Sequence, residues 1–191
     1  MKIFILGSYG PSLINFRGDL IKSIINNGHE VIACAPDDNG DIKKKIEDLG
    51  AKFEPIKMNR TGMNPIKDLM LIRDILRILK RNKPDVFLSY TIKPNIYGSI
   101  AARYAGIKKI YAMMTGAGSV IRGYSLKFIV LQIVLLPLYR LAFNYCEKIF
   151  FLNEDDLNLF KQKKIIVNNE VVLIGGSGVN LEKFERKPPK N

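Results

Sequence analysis

Apolar runs of strand length recur along the chain at Lys2–Leu6, Glu30–Ala35, Lys52–Ile56, Asp85–Tyr90, Lys108–Met114, Lys148–Leu152 and Val171–Ile174. Between them the apolar positions change to a helical spacing, over Leu13–Asn27, Asp41–Leu49, Pro65–Lys80, Pro94–Ala105, Tyr124–Tyr145 and Glu154–Lys161. Strict alternation of strand and helix predicts right-handed crossovers and a parallel sheet covered on both faces. The punctuation agrees, since Gly28, Gly50 and Gly106 stand where helices should end and Asn64-Pro65 supplies a cap followed by a first-turn proline. The predicted fold is a Rossmann-like, doubly wound α/β domain with a mostly parallel seven-stranded sheet. In such sheets ligands bind beyond the carboxyl ends of the strands, where the strand order reverses. That rule directs attention to the loops after strands one, four and five.

The first of these loops, "LGSYGPSLINFR", places Gly7, Ser8 and Gly10 between strand one and its helix. Free backbone N–H groups there favour an anion. It matches neither the Gly-x-Gly-x-x-Gly dinucleotide pattern nor the P-loop, which disfavours a nicotinamide enzyme even with Asp37 just beyond strand two. Arg17 falls near the middle of the arc formed by Leu13, Phe16, Leu20, Ile21 and Ile24. A guanidinium in that position needs either an internal carboxylate or a diphosphate-like ligand at the open end of the helix. The loop after strand four groups Thr91, Lys93 and Asn95 around Pro94, ahead of a helix with a small-residue face at Gly98, Ser99, Ala101 and Ala102. Thr115-Gly116-Ala117-Gly118 then closes strand five. Turn chemistry explains each loop alone, but three polar loops at one crevice point to a ligand.

Composition narrows the partners. The 191 residues carry 30 Lys and Arg against 18 Asp and Glu, a net charge of +12, with 47% hydrophobic residues. This is globular composition, and the charge suits solvated helix ends, an anionic membrane surface or a phosphate-bearing ligand. The loops lack the aromatic platforms of single-strand nucleic-acid binders. "MKIFILGSYG" turns too early for a signal peptide, and two cysteines, Cys34 and Cys146, make neither a disulfide framework nor a metal spacing. The lone His29 reads as structural, as does Asn153 with Asp156 three residues on, a helix cap. Phe128 to Tyr139 is almost wholly apolar, shorter than the roughly 20 residues needed to span a bilayer. It is either a buried helix or one dipping into a membrane interface, anchored by Arg122, Lys127 and Arg140.

Taken together, "SLINFRGDLIKSIINNGHEVIACAPD", "RTGMNPIKDL", "SYTIKPNIYGSIAARYAGI", "MMTGAGS", "FFLNEDD" and "GGSGVNLEKF" resemble the N-terminal half of bacterial family 4 glycosyltransferases, within the subgroup that builds surface polysaccharides and lipid-linked oligosaccharides. The resemblance runs from Met1 to about Phe184, with Ala117 where a bulkier residue is expected and Asn180 in place of a common Asp. It implies one half of a GT-B enzyme that retains anomeric configuration and needs no bound metal or cofactor. Residues 1–180 would be the acceptor-binding domain and 181–191 the start of a linker to a donor domain that binds the nucleotide-sugar. Gly7, Ser8 and Arg17 would approach the donor phosphate. Thr91, Lys93, Asn95, Thr115 and Gly116 would shape the acceptor side, and the stretch containing Phe128 and Ile133 would meet the inner face of the cell membrane carrying a polyprenyl-diphosphate-linked sugar. The resemblance assigns no catalytic residue in this half and implies that it transfers no sugar alone. Two other readings follow the same residues: a membrane-docking acceptor subunit that recruits a separate donor-domain protein, and part of a sugar-nucleotide epimerase.

Overall fold

In a computed structural model of the chain, residues 1–37, 40–59, 62 and 64–178 are described. Seven strands, β1 (Lys2–Leu6), β2 (Glu30–Ala35), β3 (Lys52–Pro55), β4 (Val86–Tyr90), β5 (Lys109–Met114), β6 (Lys148–Phe151) and β7 (Glu170–Leu173), form one sheet in the order β3-β2-β1-β4-β5-β6-β7. Every pairing is parallel, with Leu6 opposite both Cys34 and Ser89, and Tyr90 opposite Met113. The order reverses between β1 and β4, as the sequence predicts, and this splay opens the crevice. Asn180 and residues 181–191, expected to begin a linker, lie outside the described residues.

The strands are apolar on both sides because helices cover both sides. One face packs Phe4, Phe87, Ile110 and Ile149 under α4 (Pro65–Asn82), α5 (Ser99–Tyr104) and α7 (Leu126–Phe143). The other packs Ile5, Val31 and Ala33 under α1 (Gly10–Asn15), α2 (Gly18–Asn26) and α3 (Asp41–Glu47). The Asn64 side chain accepts from the Lys67 N–H at 3.0 Å, so the predicted cap of α4 is made. A last helix, α8 (Glu154–Gln162), starts from Asn153, whose side chain accepts from the Asp156 N–H at 2.8 Å.

Three helices differ from the sequence reading. The one expected over Leu13–Asn27 is two, α1 and α2, meeting at Phe16 and Arg17. The one expected from Pro94 begins as a π-helical turn, Pro94–Gly98, before α5. A short α6 (Gly118–Arg122) precedes α7, separated from it by an extended Gly123. Gly98 shows why this region needs small residues: a Cβ there would stand 2.7 Å from Phe87 Cζ and 2.8 Å from Leu6 Cδ2. The helix therefore lies directly on the sheet.

Candidate functional site

The loops after β1, β4 and β5 enclose a cavity of about 330 Å³ whose lining includes Ser8, Ser12, Arg17, Tyr90, Thr91 and Thr115. Two hydroxyl contacts cross it. Thr91 Oγ1 donates to Ser8 Oγ at 2.8 Å, bridging the splayed strands. Ser12 donates its single proton to the Tyr9 carbonyl at 2.6 Å, so the Tyr90 phenol is the donor in its 2.8 Å contact with Ser12 Oγ. Thr91 has φ +73°, a conformation that a β-branched residue adopts only under constraint. Such strain concentrates at ligand sites and costs about 1–3 kcal/mol.

Arg17 is the charged centre of this cavity. It is 5% exposed, and the break between α1 and α2 makes it the N-cap of α2, with its side chain turned toward β4. Nη1 donates to the Phe16 carbonyl at 3.0 Å, and the guanidinium carbon lies 5.0 Å from the centroid of the Tyr90 ring. No carboxylate among the described residues pairs with it, and its Nε is buried without a partner. Of the two partners the sequence allows for Arg17, the internal carboxylate is thus absent among the described residues. Desolvation lowers the Arg17 pKa from its ordinary value, with the opposing influence of Tyr90 smaller. Burial raises the Tyr90 pKa to about 12, against the Ser12 hydrogen bond and the Arg17 charge. The phenol therefore stays neutral at pH 7, and the contact is cation–π rather than ionic.

The glycines separate by cause. Gly7 is required by close approach, because a Cβ on it would meet the Tyr90 hydroxyl oxygen at 2.3 Å. Gly10 seats α1 against the Pro36 carbonyl in the same way. Gly116 and Gly118 instead have φ of +153° and +72°, so the second loop depends on backbone freedom.

Lys93 and Asn95 do not join this cavity. Lys93 is 9% exposed, and its Nζ donates to Asp68 Oδ1 at 2.8 Å. Asp68 also accepts from the Tyr97 hydroxyl at 2.9 Å and the Asn64 N–H at 3.2 Å. The pair lies beside a separate cavity of about 320 Å³ bordered by Lys57, Met58 and Lys67. Asn95 is fully buried; it accepts from Ser89 Oγ and donates to the Met113 carbonyl, both at 2.9 Å. Its side chain ties β4 to β5 beneath the loop instead of presenting a polar group in it.

The apolar helix α7 is 18 residues long, about 27 Å at 1.5 Å per residue. By length and composition it is long and apolar enough to cross a membrane, yet one face, with Leu135, Tyr139, Ala142 and Phe143, is buried on the domain. The opposite face is exposed, with Ile133 at 68%, and runs through Leu126, Ile129, Val130, Val134 and Leu141. These positions fall in one arc of roughly 140° at 100° per residue. The helix is therefore half-buried rather than wholly inside. Lys127 is exposed at its start. The other two proposed anchors have partners: Arg122 pairs with the buried Asp156, and Arg140 donates to the carbonyls of Lys163 and Lys164. Phe128 folds back over Gly123, where a Cβ would meet its ring, and so leaves the exposed arc.

Two residues at these sites escape a sequence reading. Tyr90 looks like the last apolar residue of a strand, and only its contacts with Gly7, Ser12 and Arg17 show its position. Gln132, inside the apolar run, donates to the Val120 and Gly123 carbonyls at 2.7 and 2.9 Å and accepts from Lys163 Nζ at 2.9 Å. His29 directly precedes β2, at the amino end of that strand, whereas the cavity lies beyond the carboxyl ends. Among the described residues no group of three or more His, Cys, Asp or Glu side chains is placed to hold a metal ion.

The chain is 29% identical over 184 residues to the N,N'-diacetylbacillosaminyl-diphospho-undecaprenol alpha-1,3-N-acetylgalactosaminyltransferase of Campylobacter jejuni, covering 96% of this chain and 48% of that protein. It thus spans about half the length of that curated relative. Among solved structures, a glycosyltransferase from Rickettsia africae superposes with a TM-score of 0.64 at 18% identity, over 96% of this chain and 45% of that one. The UDP-GlcNAc 2-epimerase of Neisseria meningitidis, bound to UDP-GlcNAc, gives 0.61 at 17% identity, over 91% and 45%. These likenesses place the fold with one Rossmann-like half of the GT-B glycosyltransferases. Residues 10–153 match the family described as glycosyl transferase 4-like, and the chain belongs to that family.

Proposed function

We propose that this domain is the acceptor-side half of a retaining glycosyltransferase that moves a sugar from a UDP-linked donor to a polyprenyl-diphosphate-linked glycan at the inner face of a bacterial cell membrane. The observation that carries the reading is Arg17, a buried guanidinium with no carboxylate partner among the described residues, set in a hydroxyl-lined cavity at the strand switch point. Glycosyl transfer releases a nucleoside diphosphate, and charge develops on its phosphates as the sugar leaves. Groups already fixed in a water-poor cleft stabilise that charge without reorganising. Arg17 and the Ser8–Thr91 hydroxyl pair are such groups, facing where a donor domain would close over the cavity.

The exposed arc of α7 fits the acceptor's location. A lipid-linked sugar is met at a bilayer surface, and an apolar arc beside Lys127 on a chain of net charge +12 suits an anionic interface. The similarity to a transferase named for a diphospho-undecaprenol acceptor supports the same class of acceptor here. Thr115, which lines the cavity, and the adjoining Gly116 would then border the acceptor sugar.

The test is a transfer assay with labelled UDP-sugars and polyprenyl-diphosphate-linked saccharides in anionic vesicles. It compares this chain alone with this chain fused to the C-terminal half of the Campylobacter relative. Transfer by the fusion and none by the chain alone is expected. Epimerised free nucleotide-sugar without any acceptor product would replace the transferase reading with the epimerase one.

A further inference from the structure

We infer that Tyr90 is the positioning residue of the anion pocket, acting through Arg17; the inference rests on the proposal that this pocket receives a phosphate-bearing ligand. Four observations converge on the ring. It is buried at the carboxyl end of β4, opposite Met113, where the switch-point crevice opens. Its hydroxyl is held by Ser12, which anchors the far end of the ring. The Arg17 guanidinium lies over its face at 5.0 Å, while Nε has no partner. Gly7 has no side chain at the one position where a Cβ would displace the phenol.

The physical logic is preorganisation. An arginine free to reach into water would lose rotamer freedom on capturing an anion. Arg17 has already lost that freedom, because the ring supplies an electron-rich surface in place of hydration. Its charge is retained, since the ring is neutral and no carboxylate among the described residues competes for it. The arriving oxyanion therefore meets a guanidinium that is desolvated, oriented and short of one acceptor.

The experiment titrates the 191-residue chain with inorganic pyrophosphate by calorimetry and follows the Arg17 side chain by NMR. Arg17→Gln is expected to lose at least tenfold in affinity. Tyr90→Met, which keeps apolar bulk but has no aromatic face, should lose about five- to tenfold. Tyr90→Phe should stay within about twofold, because the face remains. In the unsubstituted chain the Arg17 Nε proton should show an upfield ring-current shift that moves on adding pyrophosphate, a readout independent of whether Tyr90→Met folds. Absence of that shift overturns the role of Tyr90. So does a Tyr90→Met affinity equal to the parent's when Arg17→Gln is impaired. No pyrophosphate binding by the parent chain, or no loss in Arg17→Gln, overturns the anion pocket itself and the inference with it.

Discussion

The Tyr90 hydroxyl lies across Gly7 so closely that a Cβ on residue 7 would stand 2.3 Å from its oxygen. The loop after β1 and the end of β4 thus interlock at the switch point, and the pocket depends on both. Gly7→Ala should destabilise the domain by about 1–3 kcal/mol through overpacking. Combined with Tyr90→Leu, it should cost less than the sum of the two single changes. Urea unfolding of the four-member cycle measures the coupling, and strict additivity would contradict the interlock.

The Lys93–Asp68 pair is nearly out of solvent on both sides. Asp68→Asn leaves an ammonium buried without its counter-charge and should cost about 3–5 kcal/mol. The double change Asp68→Leu with Lys93→Met should recover most of that loss. Equal stability of Asp68→Asn and the parent in urea would mean that water reaches Lys93.

Membrane docking through α7 predicts co-flotation of the chain with anionic vesicles, weakening as salt rises. Ile133→Asp, in the middle of the exposed arc, should lower the apparent affinity about tenfold while leaving the melting temperature unchanged. Equal binding to neutral and anionic vesicles would remove the electrostatic part of the proposal.

A pH dependence follows from Glu54. Burial pushes its carboxyl pKa up, but hydrogen bonds from Lys52 and Asn82, with the Arg81 charge, outweigh burial and hold it below the ordinary value. A carboxylate with a depressed folded pKa contributes stability above its unfolded value, about 4.3, and that contribution is lost as pH falls through the folded value. Urea midpoints should therefore drop below about pH 5. Glu54→Gln should lower stability at pH 7 by about 1–3 kcal/mol and flatten the acid slope. An unchanged slope would assign the acid sensitivity to other carboxylates.

The framework was legible because strand and helix periods are local. The strands at Lys2–Leu6 and Glu30–Ala35 match residue for residue, and the others move by one position at an end, the last at both. The break at Phe16–Arg17 was not legible, since the apolar arc continues through it. The three polar loops meet at one crevice, but their side chains divide: Ser8, Thr91 and Thr115 line the cavity, Lys93 borders another, and Asn95 is buried below.

While the parallel pairing of every strand is a finding of the fold, the order of elements, a mostly parallel sheet and the place where its strand order reverses are set by local sequence. These follow from backbone geometry and from which positions must avoid water. Which charges are available depends instead on packing across the fold. Lys93 and Arg17 look alike in the sequence, each a cation in a loop or helix at the crevice. Asp68, 25 residues away, neutralises one, while the other meets an aromatic ring 73 positions distant and no carboxylate among the described residues. Packing likewise decides that α7, apolar on every side, buries one face and exposes the other. A residue's neighbours across the fold have no local period, so they emerge only when the strands are laid side by side.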